Sequence, residues 1–127
     1  MEFNDKQAIY LQIVEYIYDR ILTNEWKGDE RVPSVRDLAV ELQVNPNTVM
    51  RAYELLQNTE IIENKRGIGN FLSSNAKSMI RVKRRNHFLE NELPVIFRTM
   101  QLLGVSMDDL LARFTDYNQN NEKPQKN

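Results

Sequence analysis

Three short stretches of this 127-residue chain carry most of its chemical potential. The first is Asn45-Pro46-Asn47-Thr48-Val49-Met50-Arg51. Asn is a favoured helix N-cap, and Pro suits the first helical position because its missing amide would have no partner there. A helix opening at that point puts Asn47 and Thr48 in its first turn and Arg51 one turn on. Asn pairs bidentately with adenine, Thr meets a thymine methyl or a phosphate, and Arg suits guanine or phosphate. The free amides of the first turn favour a phosphate as well. The plainer alternative is that Asn47 and Thr48 are only good first-turn residues. The second stretch is Lys65-Arg66-Gly67-Ile68-Gly69, two cations beside two glycines. Glycine lets backbone approach closely, so such a tip fits a minor groove whose negative potential Lys65 or Arg66 would meet. Alone it is a tight hairpin turn; a dinucleotide fingerprint needs a third glycine and a strand–turn–helix context, and Walker spacing is absent. The third is Asp108-Asp109, a carboxylate pair that at a helix start complements the helix dipole more naturally than it performs catalysis.

These residues need elements to hold them. From Lys6 to about Asn24, apolar residues at Tyr10, Ile13, Val14, Ile17 and Ile21 fall on one helical face. Gly28-Asp29 breaks that pattern. Ser34 with Asp37 three residues on has capping-box spacing, opening a helix that buries Val35, Leu38, Ala39 and Leu42 and ends near Gln43. Arg36 lies off that buried face, free for a ligand or for a surface ion pair with Asp37 or Glu41. Gln43-Val44-Asn45 is then the turn to the helix begun at Pro46, which buries Val49, Ala52, Tyr53 and Leu56. Two short helices so joined form a helix-turn-helix. Gly is common in such a turn, so Gln43 is expected in the left-handed region. Two β-prone runs, 61–65 and 70–72, around the glycine loop read as a hairpin. A hairpin directly after a helix-turn-helix makes the expected fold a winged helix-turn-helix, mainly α with a small β-hairpin.

Beyond a small polar link at 73–75, residues 76–103 read as helix with Leu89, Leu93, Ile96, Met100 and Leu103 on one stripe. Pro94 should kink or split it. Gly104 fits a C-cap. Ser106 with Asp109 again has capping-box spacing, opening a last helix with Leu110, Leu111, Phe114 and Tyr117. The expected organisation is a DNA-binding domain at 1–72, a helical extension at 73–117 and a disordered polar tail at 118–127.

Composition narrows the function. Seventeen basic residues against 18 acidic leave a net charge of −1, but the distribution is uneven. Between residues 61 and 85 lie Lys65, Arg66, Lys77, Arg81, Lys83, Arg84 and Arg85 against Glu63 alone. Such a run is either a solvated helix face or the footprint of a nucleic acid. No cysteine is present, which excludes disulfides, a thiolate nucleophile and Cys-built metal sites, and His87 is the single histidine. No cofactor or metal is implied. No apolar run approaches the ~18 residues of a membrane span. The N-terminus lacks a basic stretch followed by an apolar core, so no secretory leader is expected. A reducing cytoplasm is the simplest compartment.

With these residues in place, the chain resembles the GntR family of bacterial transcription regulators. The resemblance rests on Val32-Pro33-Ser34-Val35-Arg36-Asp37-Leu38-Ala39, on Val44-Asn45-Pro46-Asn47-Thr48-Val49 with Ala52-Tyr53, and on Lys65-Arg66-Gly67-Ile68-Gly69. Ala8-Ile9-Tyr10-Leu11-Gln12-Ile13 and Trp26 fit too, and the short YtrA-like subgroup is the nearest match. Departures fall at turns: the family's Pro-Gly after the Trp-x pair is Gly28-Asp29 here, and its frequent Gly before the first wing strand is Glu60. The resemblance implies that Arg36 contacts DNA, with Ser34 either capping its helix or donating to a phosphate. The expected DNA-contacting set is Ser34, Arg36, Asn45, Asn47, Thr48, Arg51, Lys65, Arg66, Gly67 and Gly69.

One winged domain reads too few base pairs for genomic specificity, whereas two copies about a two-fold axis double the readout. The C-terminal helices are too few to form a core unaided. Residues 76–117 are therefore expected to pair with a second copy through Leu89, Leu93, Ile96, Met100, Leu103, Leu110, Leu111 and Phe114, the alternative being packing on the chain's own first helix. The leading expectation is a homodimeric regulator, a repressor, reading a palindromic operator in double-stranded DNA. A pocket for an unidentified small-molecule effector at the interface between two copies is compatible with this arrangement, and nothing in the sequence identifies its ligand. The competing class is a protein-interaction adaptor, separable by salt: DNA affinity falls with log K dropping ~0.9 per phosphate neutralised.

Overall fold

The computed structural model describes residues 1–121. Backbone contacts divide the chain into two units, Met1–Arg84 and a second beginning at Arg85. The first unit contains helix α1 (Ile9–Leu22), α2 (Val35–Leu42), α3 (Pro46–Asn58), strands β1 (Ile62–Lys65) and β2 (Gly69–Leu72), and most of α4 (Ala76–His87). Its core is formed by Ile13, Ile17 and Ile21 of α1, Leu38 of α2, Val49, Tyr53 and Leu56 of α3, and Ile62 and Leu72 of the hairpin. Ala76 and Ile80 are buried in the same core. The unit therefore extends past the expected boundary at residue 72, because the first turns of α4 supply apolar side chains that the hairpin and α1 need covered.

The caps read from sequence are present. The Ser34 hydroxyl accepts the Asp37 amide at 3.0 Å, and Asn45 Oδ1 accepts the Asn47 amide at 2.7 Å. Ser106 and Asp109 close both halves of a capping box. Gln43 stands in the left-handed region, φ 58° and ψ 48°, as the tight turn between α2 and α3 demands. Two further positive φ values, Asp29 at 69° and Glu60 at 65°, fall at the turns where the resemblance implies a glycine. A side chain costs about 1–2 kcal/mol in that conformation, while glycine adopts it freely. Glu60→Gly is therefore expected to stabilise the protein by about 0.5–1 kcal/mol, measurable as a higher urea midpoint.

β1 and β2 pair antiparallel from Ile62 opposite Leu72 to Lys65 opposite Gly69. A short third segment was not evident in the sequence. The Val32 amide donates to the Asn70 carbonyl at 2.9 Å and the Leu72 amide to the Glu30 carbonyl at 2.9 Å, so residues 30–32 run along the outer edge of β2. They tie the hairpin to the chain that enters α2.

The second unit holds the end of α4, one π-helical turn (Phe88–Glu92), α5 (Leu93–Leu103) and α6 (Met107–Asn120). Pro94 splits the long helix as expected, and the split takes the form of the widened turn just before it. Proline donates no amide and crowds the preceding turn, which a wider helical turn relieves. Gly104 ends α5 at φ 72°. α6 continues through Asn120, three residues past the boundary expected at 117, and Asn121 closes it by donating its amide and its side-chain nitrogen to the Tyr117 carbonyl at 2.9 and 3.0 Å. Residues 122–127, where the rest of the expected polar tail falls, lie outside the described residues. Of the expected apolar stripe, Leu89, Ile96, Leu103, Leu111 and Phe114 are exposed, with Leu103 at 71% and Phe114 at 59%. Leu93 and Leu110 are half-buried. Met100 departs from the expectation: it is buried within the chain itself and offers a partner little surface. Among the described residues no helix is long and apolar enough to cross a membrane.

Candidate nucleic-acid interface

α3 presents its head to solvent because its buried stripe, Val49, Ala52, Tyr53 and Leu56, lies on the opposite side. Asn47, Thr48 and Arg51 converge on one open cleft, which Ala8, Ile9 and Tyr10 at the start of α1 complete. Asn45 does not join them. Its side-chain oxygen is committed to the cap, so its effect on α3 is structural. Arg51 is exposed and its guanidinium carbon lies 4.0 Å from the centroid of the Tyr10 ring.

α2 is fixed against α3 by Tyr53, whose buried hydroxyl donates to the Pro33 carbonyl at 2.7 Å. Burial foremost, with the charges of Glu41 and Asp37 adding to it, pushes this phenol far above its ordinary pKa, so it stays a neutral donor. Arg36 projects from the first turn of α2 and is exposed. Among the described residues it forms no ion pair, and Glu41, one candidate partner, instead accepts the Tyr16 hydroxyl at 3.1 Å. Among the described residues the surface-ion-pair alternative for Arg36 is therefore not realised. Ser34, spent on its cap, has its hydroxyl proton left to offer.

In the wing, the Ile68 amide donates to the Lys65 carbonyl at 2.8 Å, closing the turn, with Gly67 at φ 77° and Gly69 at φ 141°. Lys65, Arg66 and Gly67 are exposed. The Lys65 ammonium lies over the Phe71 ring, 4.5 Å from its centroid, a cation–π contact at the base of the wing. Gln57 of α3 and Asn64 of β1 both donate to the Asn70 side-chain oxygen, at 3.0 and 3.2 Å, linking the end of α3 to the hairpin. Sequence reasoning missed Arg31. Its side chain lies against Gly69 so closely that a Cβ there would stand 2.8 Å from Arg31 Nε. With φ 141° as well, Gly69→Ala is expected to cost about 1–3 kcal/mol, seen as a lower melting temperature. The signal available in the sequence was a lone cation just ahead of Val32-Pro33, too little to single it out.

The basic run of α4 is not simply a solvated or DNA-facing stripe. Arg84 pairs with Asp19 at 2.8 Å and with Glu15, Lys77 Nζ donates to Asn24 Oδ1 at 3.0 Å, and Lys83 Nζ lies 3.5 Å from the Tyr18 hydroxyl. These contacts fasten α4 to α1. Asp109 is likewise occupied, accepting the Ser106 amide within the capping box, which accounts for half of the carboxylate pair. Among the described residues no cluster of metal-ligating side chains occurs.

Three packed helices, a helix-turn-helix with an exposed polar head, and a glycine-tipped cationic hairpin define a winged-helix DNA-binding domain, the class used by transcription regulators. Residues 9–72 match the family model for bacterial regulatory proteins of the gntR family. The chain is 31% identical over 110 residues to the uncharacterized HTH-type transcriptional regulator YhcF of Bacillus subtilis, covering 87% of this chain and 89% of that one. It is 34% identical over 102 residues to the HTH-type transcriptional repressor YtrA of the same organism, covering 80% and 78% respectively. A crystal structure of a putative GntR-family regulator from Bacteroides thetaiotaomicron superposes with a TM-score of 0.75 at 43% identity, over 87% of this chain and 97% of the other. The chain belongs to the GntR family of transcriptional regulators, a family of non-enzymatic DNA-binding proteins.

Proposed function

We propose that the protein is a homodimeric repressor that reads a palindromic operator, with α3 in the major groove and the wing at the flanking minor groove. The observation that carries this reading is the convergence of Asn47, Thr48 and Arg51 on the open head of α3, in a unit whose wing tip carries Lys65 and Arg66. Arg36, exposed one helix earlier and without an ion pair among the described residues, adds a phosphate or guanine contact. Gly67 and Gly69 let the wing backbone come close to the sugar–phosphate edge. Ser34 contributes a hydroxyl donor, while Asn45 acts by holding Asn47 in place.

The second copy is called for by the region beginning at Arg85. Its helices expose Leu103, Leu111, Phe114 and their neighbours, and large apolar side chains left exposed in such number favour a covering partner. An identical chain covers it in a way that also sets two α3 helices at a fixed separation on DNA. The dimerisation element is therefore narrower than the expected 73–117 and begins at residue 85, since the start of α4 is spent on the core of the winged unit. The likeness to the repressor YtrA supports repression as the outcome, and the cytoplasm is the compartment in which a bacterial regulator of this family meets DNA. No effector is assigned.

Selection of bound sites from randomised duplexes tests this directly. The expected product is an inverted repeat whose half-site centres lie about 10 base pairs, or a multiple of that, apart. An enriched site without two-fold symmetry would overturn the dimeric reading, and no enrichment would overturn sequence-specific binding.

A further inference from the structure

We infer that Tyr10 is a positioning residue for base readout: its ring holds Arg51 in the pose from which Arg51 reads DNA. The inference rests on the proposed role of α3 and adds to it a residue from a different helix. Arg51 is long, exposed and free of acidic partners among the described residues, so by itself it would sample many rotamers. Instead its guanidinium lies 4.0 Å from the Tyr10 ring centroid, inside the cleft that Asn47 and Thr48 also line. An arginine over an aromatic ring uses the face of its guanidinium, and the five N–H donors in the guanidinium plane stay available for a two-pronged contact with guanine or phosphate. Stacking and readout are therefore compatible in one pose.

The platform is itself held in place by packing and hydrogen bonds. Tyr10 packs against the core, and the residues just ahead of α1 are clamped by buried Gln12. Gln12 Nε2 donates to the Asn4 and Gln7 carbonyls at 2.9 and 2.8 Å, and its Oε1 accepts the Asn4 amide at 3.1 Å. A guanidinium placed by such a platform pays its ordering cost before DNA arrives, which raises both affinity and discrimination.

Site selection and affinity measurements with the full chain, comparing wild type with Tyr10→Phe, Tyr10→Leu and Arg51→Ala, test the inference. Arg51→Ala identifies the base pair in each half-site whose preference depends on Arg51. Tyr10→Leu, which fills the site without a ring, should weaken the preference at that same pair and lower operator affinity by about fivefold, with its melting temperature near wild type. Tyr10→Phe, which keeps the ring, should stay within about twofold of wild type on both counts. Full discrimination in Tyr10→Leu alongside lost discrimination in Arg51→Ala would overturn the inference and leave the proposed function standing. A rise in affinity on losing the ring would overturn it too, by showing that Tyr10 sequesters Arg51. An unchanged profile in Arg51→Ala would remove base reading by Arg51, and the inference with it.

Discussion

Substituting glutamate for both Leu103 and Phe114 is expected to leave a monomer that binds its operator at least about 100-fold more weakly than the wild type. Both side chains lie mostly exposed within one chain, at 71% and 59%, so neither change disturbs the core of the winged unit. In a dimer they would be covered, and each buried side chain of this size contributes about 1.5–3 kcal/mol. Losing two contributions, and forcing carboxylates into an apolar seam, moves association by about 3 kcal/mol or more, or two orders of magnitude. A lone monomer then reads one half-site only, and its affinity falls accordingly. Sedimentation velocity reads the association state, and the far-ultraviolet spectrum confirms that α1, α2 and α3 persist. A variant that stays dimeric with full operator affinity would place the interface elsewhere.

Arg36→Ala and Arg51→Ala are expected to reduce operator affinity by about 10- to 100-fold each, since a good side-chain pair to a base is worth about 1–3 kcal/mol. Both side chains are exposed, so stability should change little; Arg51→Ala forfeits only its stacking on Tyr10, about 0.5–1 kcal/mol. Asn45→Ala provides the contrast. Its side chain caps α3, so the substitution should cost about 1 kcal/mol of stability and weaken binding to every sequence alike. Loss of sequence preference in the arginine variants, and its retention in Asn45→Ala, would separate reading from scaffolding. Competition binding against operator and unrelated duplex measures both.

Local chemistry made much of this molecule legible from its sequence. Ser34, Asn45-Pro46 and Ser106 mark helix starts through interactions spanning two or three residues, and all three serve as caps. Gln43 was forced into the left-handed region by the shortness of its turn. The paired runs around Gly67 and Gly69 predict the hairpin for the same local reason. What escaped notice depends on residues distant in the chain. Residues 30–32 join β2 through backbone groups, which leave no trace in side-chain patterning. Tyr10 and Arg51 lie on different helices, each sensible alone as a core aromatic and a surface cation. Arg84 reads as one more member of a basic run until α1 brings Glu15 and Asp19 beside it. Met100 holds a stripe position yet is buried, and helical periodicity cannot distinguish a side chain covered by its own chain from one left for a partner. Pro94 announced a break; the π turn that accommodates it is a matter of backbone geometry set by both flanking helices.

Methylation interference on the selected operator is the most direct test of where α3 and the wing sit. Methyl groups at guanine N7 block the major groove, and those at adenine N3 block the minor groove. The expected result is two clusters of N7 interference about one helical turn, or a multiple of it, apart, each flanked on the outer side by N3 interference that Arg66→Ala removes. Interference confined to the minor groove, or N7 sites indifferent to Arg51→Ala, would contradict a recognition helix seated in the major groove.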